Sequence, residues 1–213
     1  MTPRIVVTGE GESALAPDLA IVSLGVMREA ETAREAMTGN NEAMTAVIAS
    51  LKEAGIEARD IQTSGLQINP RYDYKNHPDG RQESRLVAYQ VTNMVTVRVR
   101  DLGKLGEIID KSVTLGANQG GGISFTNEDP KAARTEARKR AVEEAHEKAE
   151  TLASAAGVPL GDVIEITEQV FQPGPVFAKS TMRMEAADAA PVEAGENLYR
   201  VQVTVTYSIG GTN

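Results

Sequence analysis

The stretch GANQGGGISF, residues 116–125, holds the most suggestive chemistry in the chain. Gly120 to Gly122, with Gly116 before them, have the composition of a phosphate cradle. A phosphate or dinucleotide turn needs a strand, then the glycines, then a helix whose free N–H groups face the anion. The surrounding pattern runs the other way, from helix through glycines to strand. No Lys-Ser/Thr follows and no G-x-G-x-x-G spacing occurs. The expectation is structural: Gly116 as a left-handed helix cap, and Gly120 to Gly122 as a turn or bulge into the strand. Close approach of another backbone is a further expectation.

GEGES, residues 9–13, lacks the G-x-S-x-G spacing of a nucleophile elbow. The two histidines are His77, in a Pro-Asp-Gly turn, and His146, on a charged helix. The fourth residue after His146 is Glu150, so the H-E-x-x-H zinc pattern is absent. A Ser-His-acid triad meets only in space, which leaves a weak hydrolase open as an alternative. The chain has no cysteine, which removes disulfides, thiolate ligands and cysteine nucleophiles. No catalytic, cofactor-binding or metal-ligating residue is assigned, no cofactor is expected, and the chain is read as a non-enzyme.

With aromatics at 4% and no Trp, the core of these 213 residues must come from Val, Ile, Leu and Ala. The net charge of -8 disfavours nucleic acid and anionic membrane as partners. No apolar run approaches the roughly 18 residues of a membrane span, so direct membrane insertion is not expected. The sequence as given starts straight into a strand pattern without a signal peptide. The protein is then cytoplasmic, or exported with its signal removed.

The elements that would position any site read clearly in places. Ala20, Val22, Leu24 and Val26 alternate on one strand face, as do Val87, Tyr89, Val91, Val95, Val97 and Val99. Asn93 interrupts the second face and is expected to mark a bulge. Tyr199, Val201, Val203, Val205, Tyr207 and Ile209 line a last strand. Thr32 and Glu35 fit a capping box, followed by a helical stripe of Ala33, Met37, Met44, Val47, Ile48 and Leu51 that Gly55 ends. Gly39-Asn40-Asn41 weakens its middle. Asp101 is expected to cap a short helix with Leu102, Leu105, Ile108, Ile109 and Val113 as its apolar stripe. A longer helix is expected to start at Asp129-Pro130 and stop at Gly157.

That longer helix repeats alanine at 133, 137, 141, 145 and 149, which would let it sit close on a sheet or another helix. Its bases come early (Lys131, Arg134, Arg138, Lys139, Arg140) and its acids late (Glu143, Glu144, Glu147, Glu150), against the helix dipole. Pairs Arg140–Glu144 and Glu144–Lys148 are expected to compensate. A solvated face explains this pattern; so does a charge-complementary contact between copies. Segments 70–85 and 173–197 read as irregular. The first sets Tyr72 and Tyr74 on a polar loop, and the second holds Met182 and Met184 at period two. Exposed Tyr and Met favour interfaces.

SLKEAGIEARDIQ echoes TLASAAGVPLGDVIE, compatible with duplication of a helix-to-strand unit. The fold class is α+β, a largely antiparallel sheet with helices on one face, in the order ββαββαβαββ.

RIVVTGEGESALAPDLAIVSLGV, TAREAMTGNNEAMTAVIASLKEAGIEARDIQTSGLQINPRY, VTVRVRDLGKLGEIIDKSVTLGANQGG and TEARKRAVEEAHEKAETLASAAGV resemble the SIMPL-domain family. The likeness covers essentially the whole chain, which is read as a single SIMPL-like domain, 1–213. It implies a bacterial periplasmic protein with an α+β fold and envelope association. It also implies self-assembly into large ring-like or channel-like homo-oligomers, linked to envelope or oxidative stress defence. The partner is then the protein itself, and Tyr72, Tyr74, Met182, Met184, Arg138, Arg140, Glu144 and Glu147 are the interface candidates. A small-ligand-binding periplasmic module, with a pocket near the glycine stretch, is the other alternative.

Overall fold

The computed structural model describes residues 3–76, 82–171, 174–176 and 192–210. The elements are β1 (Arg4–Leu15), β2 (Leu19–Ala30), α1 (Ala33–Glu53), β3 (Ile61–Asn76), β4 (Gln82–Val99), α2 (Leu105–Thr114), β5 (Gln119–Thr126), α3 (Lys131–Ala156), β6 (Leu160–Val170), β7 (Gly174–Val176) and β8 (Glu196–Ile209). The fold is α+β. It has two antiparallel sheets rather than one, and the three-residue β7 adds a strand to the expected order.

The chain forms two compact units. In one, the strand order is β1-β8-β6, with β7 also paired to β8 and α3 packed on β1 and β8. In the other, the order is β3-β4-β2-β5, with α1 packed on β2 and β4. Both contain the same path. Within each unit the order is a first strand, a helix, the far strand and a last strand that lies in the middle; in the first unit, residues 18–126 of the second are inserted between the first strand and the helix. β1-α3-β6-β8 and β2-α1-β3-β4 are the two instances, and the sequence echo falls at the matching corners α1-to-β3 and α3-to-β6.

In the second unit, the capping box is present: Glu35 N–H donates to Thr32 Oγ1 (3.2 Å) and Thr32 N–H to Glu35 Oε2 (3.3 Å). The buried stripe of α1 follows expectation from Met44 onward. Earlier it is Ala36 and Asn40 that face the sheet, in place of Ala33 and Met37. Asn40 is fully buried, and its amide donates to the carbonyls of Val26 (2.7 Å) and Val91 (3.1 Å). Two strand carbonyls thus receive a polar side chain that would otherwise be costly to bury, and the helix runs unbroken through Gly39-Asn40-Asn41. Gly39 holds no positive φ, and an added Cβ would find only Arg28 Cγ, at 3.9 Å. Gly39→Ala is therefore expected to raise stability by about 0.5–1 kcal/mol through helix propensity and a less disordered unfolded chain. Chemical denaturation of the two proteins checks this.

Several local expectations change. Asn93 pairs regularly with Val26 and Leu66; the β3–β4 pairing instead shifts at Ser64, extra in β3 between Thr63 and Gly65, and at Val87, extra in β4 between Leu86 and Ala88. Asp101 precedes a 3-10 turn, Leu102–Lys104, and makes no side-chain cap; it pairs with Lys104 at 3.6 Å. Val113 is exposed, while Leu105 and Ile108 are buried.

Segment 70–85 is strand wherever it is described. β3 and β4 pair from Ile61↔Val97 out to Asn76↔Gln82. Pro70 is tolerated because β3 is the edge strand, where one missing N–H breaks no ladder on its outer side. In the second irregular segment, 174–176 forms β7 against Glu196–Leu198. Residues 177–191, with Met182 and Met184, lie outside the described residues, as does His77.

The glycine stretch is a strand entry. Gly116 follows α2 at φ +114°, and its N–H donates to the Val113 carbonyl (3.0 Å). The Asn118 side chain then stands in for a strand residue, accepting from Met27 N–H (2.7 Å) and donating to Met27 O (3.0 Å). The pairing of β5 with β2 slips between Ile123↔Val22 and Gly120↔Leu24, and Gly122 takes φ +88° at that bulge.

Candidate interaction surfaces

Helix α3 owes its position to small residues on both sides of one seam. Ala133, Ala137, Ala141, Ala145, Ala149 and Ala153 are its buried residues. A row of residues spaced by four runs obliquely around a helix, which suits a twisted sheet beneath it. Opposite lie Gly9 and Gly11 of β1. A Cβ added at Gly11 would overlap the Ala137 carbonyl oxygen and stand 2.5 Å from the Ala141 nitrogen. At Gly9 it would overlap the Ala141 carbonyl oxygen, 2.6 Å from the Ala145 nitrogen. The GEGES segment is therefore a packing device, not an elbow. Its sequence signal was glycine at period two facing alanine at period four.

The charges of α3 are tied down within the same unit. Arg138 grips Glu168 of β6 with Nε, 2.8 and 3.0 Å from the two carboxylate oxygens. Arg140 pairs with Glu136 (3.2 Å) and donates to the Glu12 carbonyl (2.7 Å), instead of pairing with Glu144. Glu144 accepts from the Glu10 backbone N–H and pairs with Lys148 (3.2 Å). Those two partners, the N–H first, hold the Glu144 carboxyl below its usual range. Glu147 lines a shallow cavity of about 480 Å³ with Val7, Thr8, Lys148 and Leu152.

Tyr72 and Tyr74 stand on strand, not loop. Beyond the last β2–β4 pair, Ala30↔Tyr89, β3 and β4 continue as a two-stranded arm paired only with each other. α1 covers Ile61 at the start of β3 but not the positions that follow on the same face. Leu66 and Ile68, opposite Asn93 and Val91, are 52% and 47% exposed. Tyr72, opposite Leu86, and Tyr74 continue the alternation, and all three are exposed.

The first unit repeats this arrangement. α3 covers Leu160 at the start of β6. Val163, Ile166 and Val170 lie opposite Tyr207, Val205 and Val201, which line the α3 side of β8, yet each is about half exposed. Val142 on α3 is exposed as well. In both units the helix sits over the first and middle strands and leaves the apolar inner face of the far strand uncovered.

Asp60 is a buried charge that sequence reasoning missed. It ends the 3-10 turn Ala58–Asp60 just before β3, accepts from Arg100 and stands 3.8 Å from Arg98. The hydrogen bond from Arg100 holds its carboxyl below the ordinary range against the opposing effect of burial, with the charges of Arg100, Arg59 and Arg98 adding to it. It borders a cavity of about 280 Å³ with Glu57, Arg98, Arg100, Asp101 and Lys104. A second cavity, about 250 Å³, lies between α1 and α2, lined by Leu51, Glu53, Lys104, Ile108 and Lys111 among others. None of the three cavities is lined by Gly116 or Gly120 to Gly122. His146 pairs with Glu150 (3.3 Å), its ring 5.9 Å from that of Tyr207. Among the described residues, no cluster of three or more His, Asp or Glu side chains is placed to hold a metal, and no helix is long and apolar enough to cross a membrane.

The sequence matches the family model described as "SIMPL: Protein of unknown function (DUF541)" over residues 5–207. The chain belongs to the SIMPL family. Among curated SIMPL relatives, it is 50% identical over 211 residues to the 26 kDa periplasmic immunogenic protein of Brucella melitensis, an alignment covering 97% of this chain and 84% of the relative. The protein of the same name from Brucella abortus matches equally. The uncharacterized protein YggE of Escherichia coli K12 is 33% identical over 196 residues, covering 91% of this chain and 76% of YggE. The match runs through both structural units, so the SIMPL family model spans the pair of them.

Proposed function

We propose that this SIMPL protein is a non-enzymatic periplasmic protein whose copies self-assemble into large ring-like or channel-like homo-oligomers. The observation that carries this reading is the pair of uncovered apolar strand faces, on β3–β4 and on β6. Apolar side chains left in water along a strand favour docking onto another protein surface. The periplasmic setting follows from the relative named as a periplasmic immunogenic protein. A part in envelope or oxidative stress defence rests on the family resemblance.

Light scattering during size exclusion tests the reading. The expected result is a mass several times the 22.7 kDa of one chain, held across micromolar concentrations. A single-chain mass throughout would end it. A small-ligand module is the second reading, favoured by the cavity beside Arg98, Arg100 and Lys104. Its cations face Asp60, Glu57 and Asp101, so little net charge remains to attract an anion. Thermal-shift screening with envelope metabolites separates the two readings: a saturable rise in unfolding temperature supports the second.

A further inference from the structure

β1 ends the order β1-β8-β6. One side of its backbone pairs with β8, and the other has no strand beside it among the described residues. An open strand edge is a template on which another chain can add a strand. Here the open side meets a row of charged side chains from α3. Arg140 Nη1 donates to the Glu12 carbonyl (2.7 Å), the Glu10 N–H donates to Glu144 Oε2, and Lys148 Nζ donates to the Thr8 carbonyl (2.9 Å). Thr8, Glu10 and Glu12 alternate along the strand, and backbone groups at alternate positions of an antiparallel pair point to the same side. The two spacings agree: four residues of helix advance about 6 Å and two residues of strand about 6.8 Å. A cation meets each carbonyl and a carboxylate meets the N–H, so the signs are right at all three points.

The second unit shows that this edge can take a strand. On the matching path β2 holds the place of β1, and β5 pairs with its outer side from Leu19↔Thr126 to Gly25↔Gln119. In the first unit the row Arg140, Glu144, Lys148 stands where β5 stands in the second.

We propose that Arg140, Glu144 and Lys148 bar a second copy of the chain from adding a strand along β1. The row answers the outward backbone groups of β1 from within the same chain, and a strand arriving from another copy would have to displace it. This goes beyond the self-assembly proposed above and does not depend on it.

Arg140→Ala/Glu144→Ala/Lys148→Ala opens the edge. Alanine is a strong helix former and all three side chains are about half exposed, so the fold should survive; circular dichroism verifies it. Arg140→Ala/Lys148→Ala takes its place if the triple variant fails to fold. The control, Lys131→Ala/Lys139→Ala/Glu143→Ala, removes the same charges from exposed positions of the same helix; for the double variant it is Lys131→Ala/Lys139→Ala. Light scattering during size exclusion is expected to give the opened variant about twice the wild-type mass or more, as freed edges pair. The control is expected to keep the wild-type mass. An opened variant with the mass of wild type overturns the proposal. So does an equal rise in the control, which would trace association to lost charge alone. Because each variant is compared with wild type, the result reads alike whether wild type is one chain or many, and a failure here leaves the self-assembly reading standing.

Discussion

Gly11→Ala is expected to destabilise the unit built on β1 and α3 by about 3 kcal/mol or more, the upper end of what overpacking costs. The new methyl group would meet the backbone of Ala137 and Ala141, not the tip of a flexible side chain. Relief requires α3 to lift off β1, and lifting would open the seam along six buried alanines. It would also strain the bonds that fix the helix laterally, from Arg140 to the Glu12 carbonyl and from Lys148 to the Thr8 carbonyl. Gly9→Ala meets Ala141 and Ala145 in the same way and should behave alike. Gly120→Ala is the control, because an added Cβ there has nothing within 4 Å and no positive φ is required. Urea unfolding followed by circular dichroism reads all three. A Gly11→Ala protein with the wild-type midpoint would mean that α3 stands farther from β1 than described.

Asp60→Asn is the second large effect, and it carries a pH signature. Removing one partner of a fully buried ion pair costs about 3–5 kcal/mol. Here the Arg98 and Arg100 side chains are 44% and 38% exposed, and water takes up part of their charge. The expected loss at neutral pH is therefore smaller, about 2 kcal/mol. The native carboxyl titrates below its ordinary value of 3.8. An acid with a depressed native pKa contributes stability that is whole above the unfolded value and disappears as pH falls through the native one. Wild type and Asp60→Asn should thus differ at pH 7 and converge below pH 3.8. Denaturation curves across that range check the convergence. A constant gap down to strong acid would place the effect in packing instead of charge.

How much of this was legible in the sequence depended on whether the signal was local. The capping box at Thr32 and Glu35, the left-handed stops at Gly116 and Gly157, and the Val-rich face of β4 are all set by neighbouring residues. The alanine row of α3 was legible too, although its counterpart in Gly9 and Gly11 was not, because 128 residues of chain separate Glu12 from Arg140 across that seam. Asn40 looked like a helix weakener until the strand carbonyls it serves were in place. Asp60 meets Arg98 and Arg100 only because Ile61 pairs with Val97 across the hairpin. The arm was misread because Pro70 and its polar neighbours resemble a loop, while the edge position that excuses them is a property of the sheet. The uncovered faces follow the same logic. Leu66, Ile68, Val163 and Ile166 look like core residues in sequence, and only the placement of the helices shows that they stand about half exposed.

The most direct test of this account is electron microscopy of the negatively stained wild-type protein at micromolar concentration. Closed particles with rotational symmetry, each built from several copies, are predicted by the ring-like or channel-like self-assembly proposed above. A field of separate particles, each the size of one 22.7 kDa chain, would contradict it.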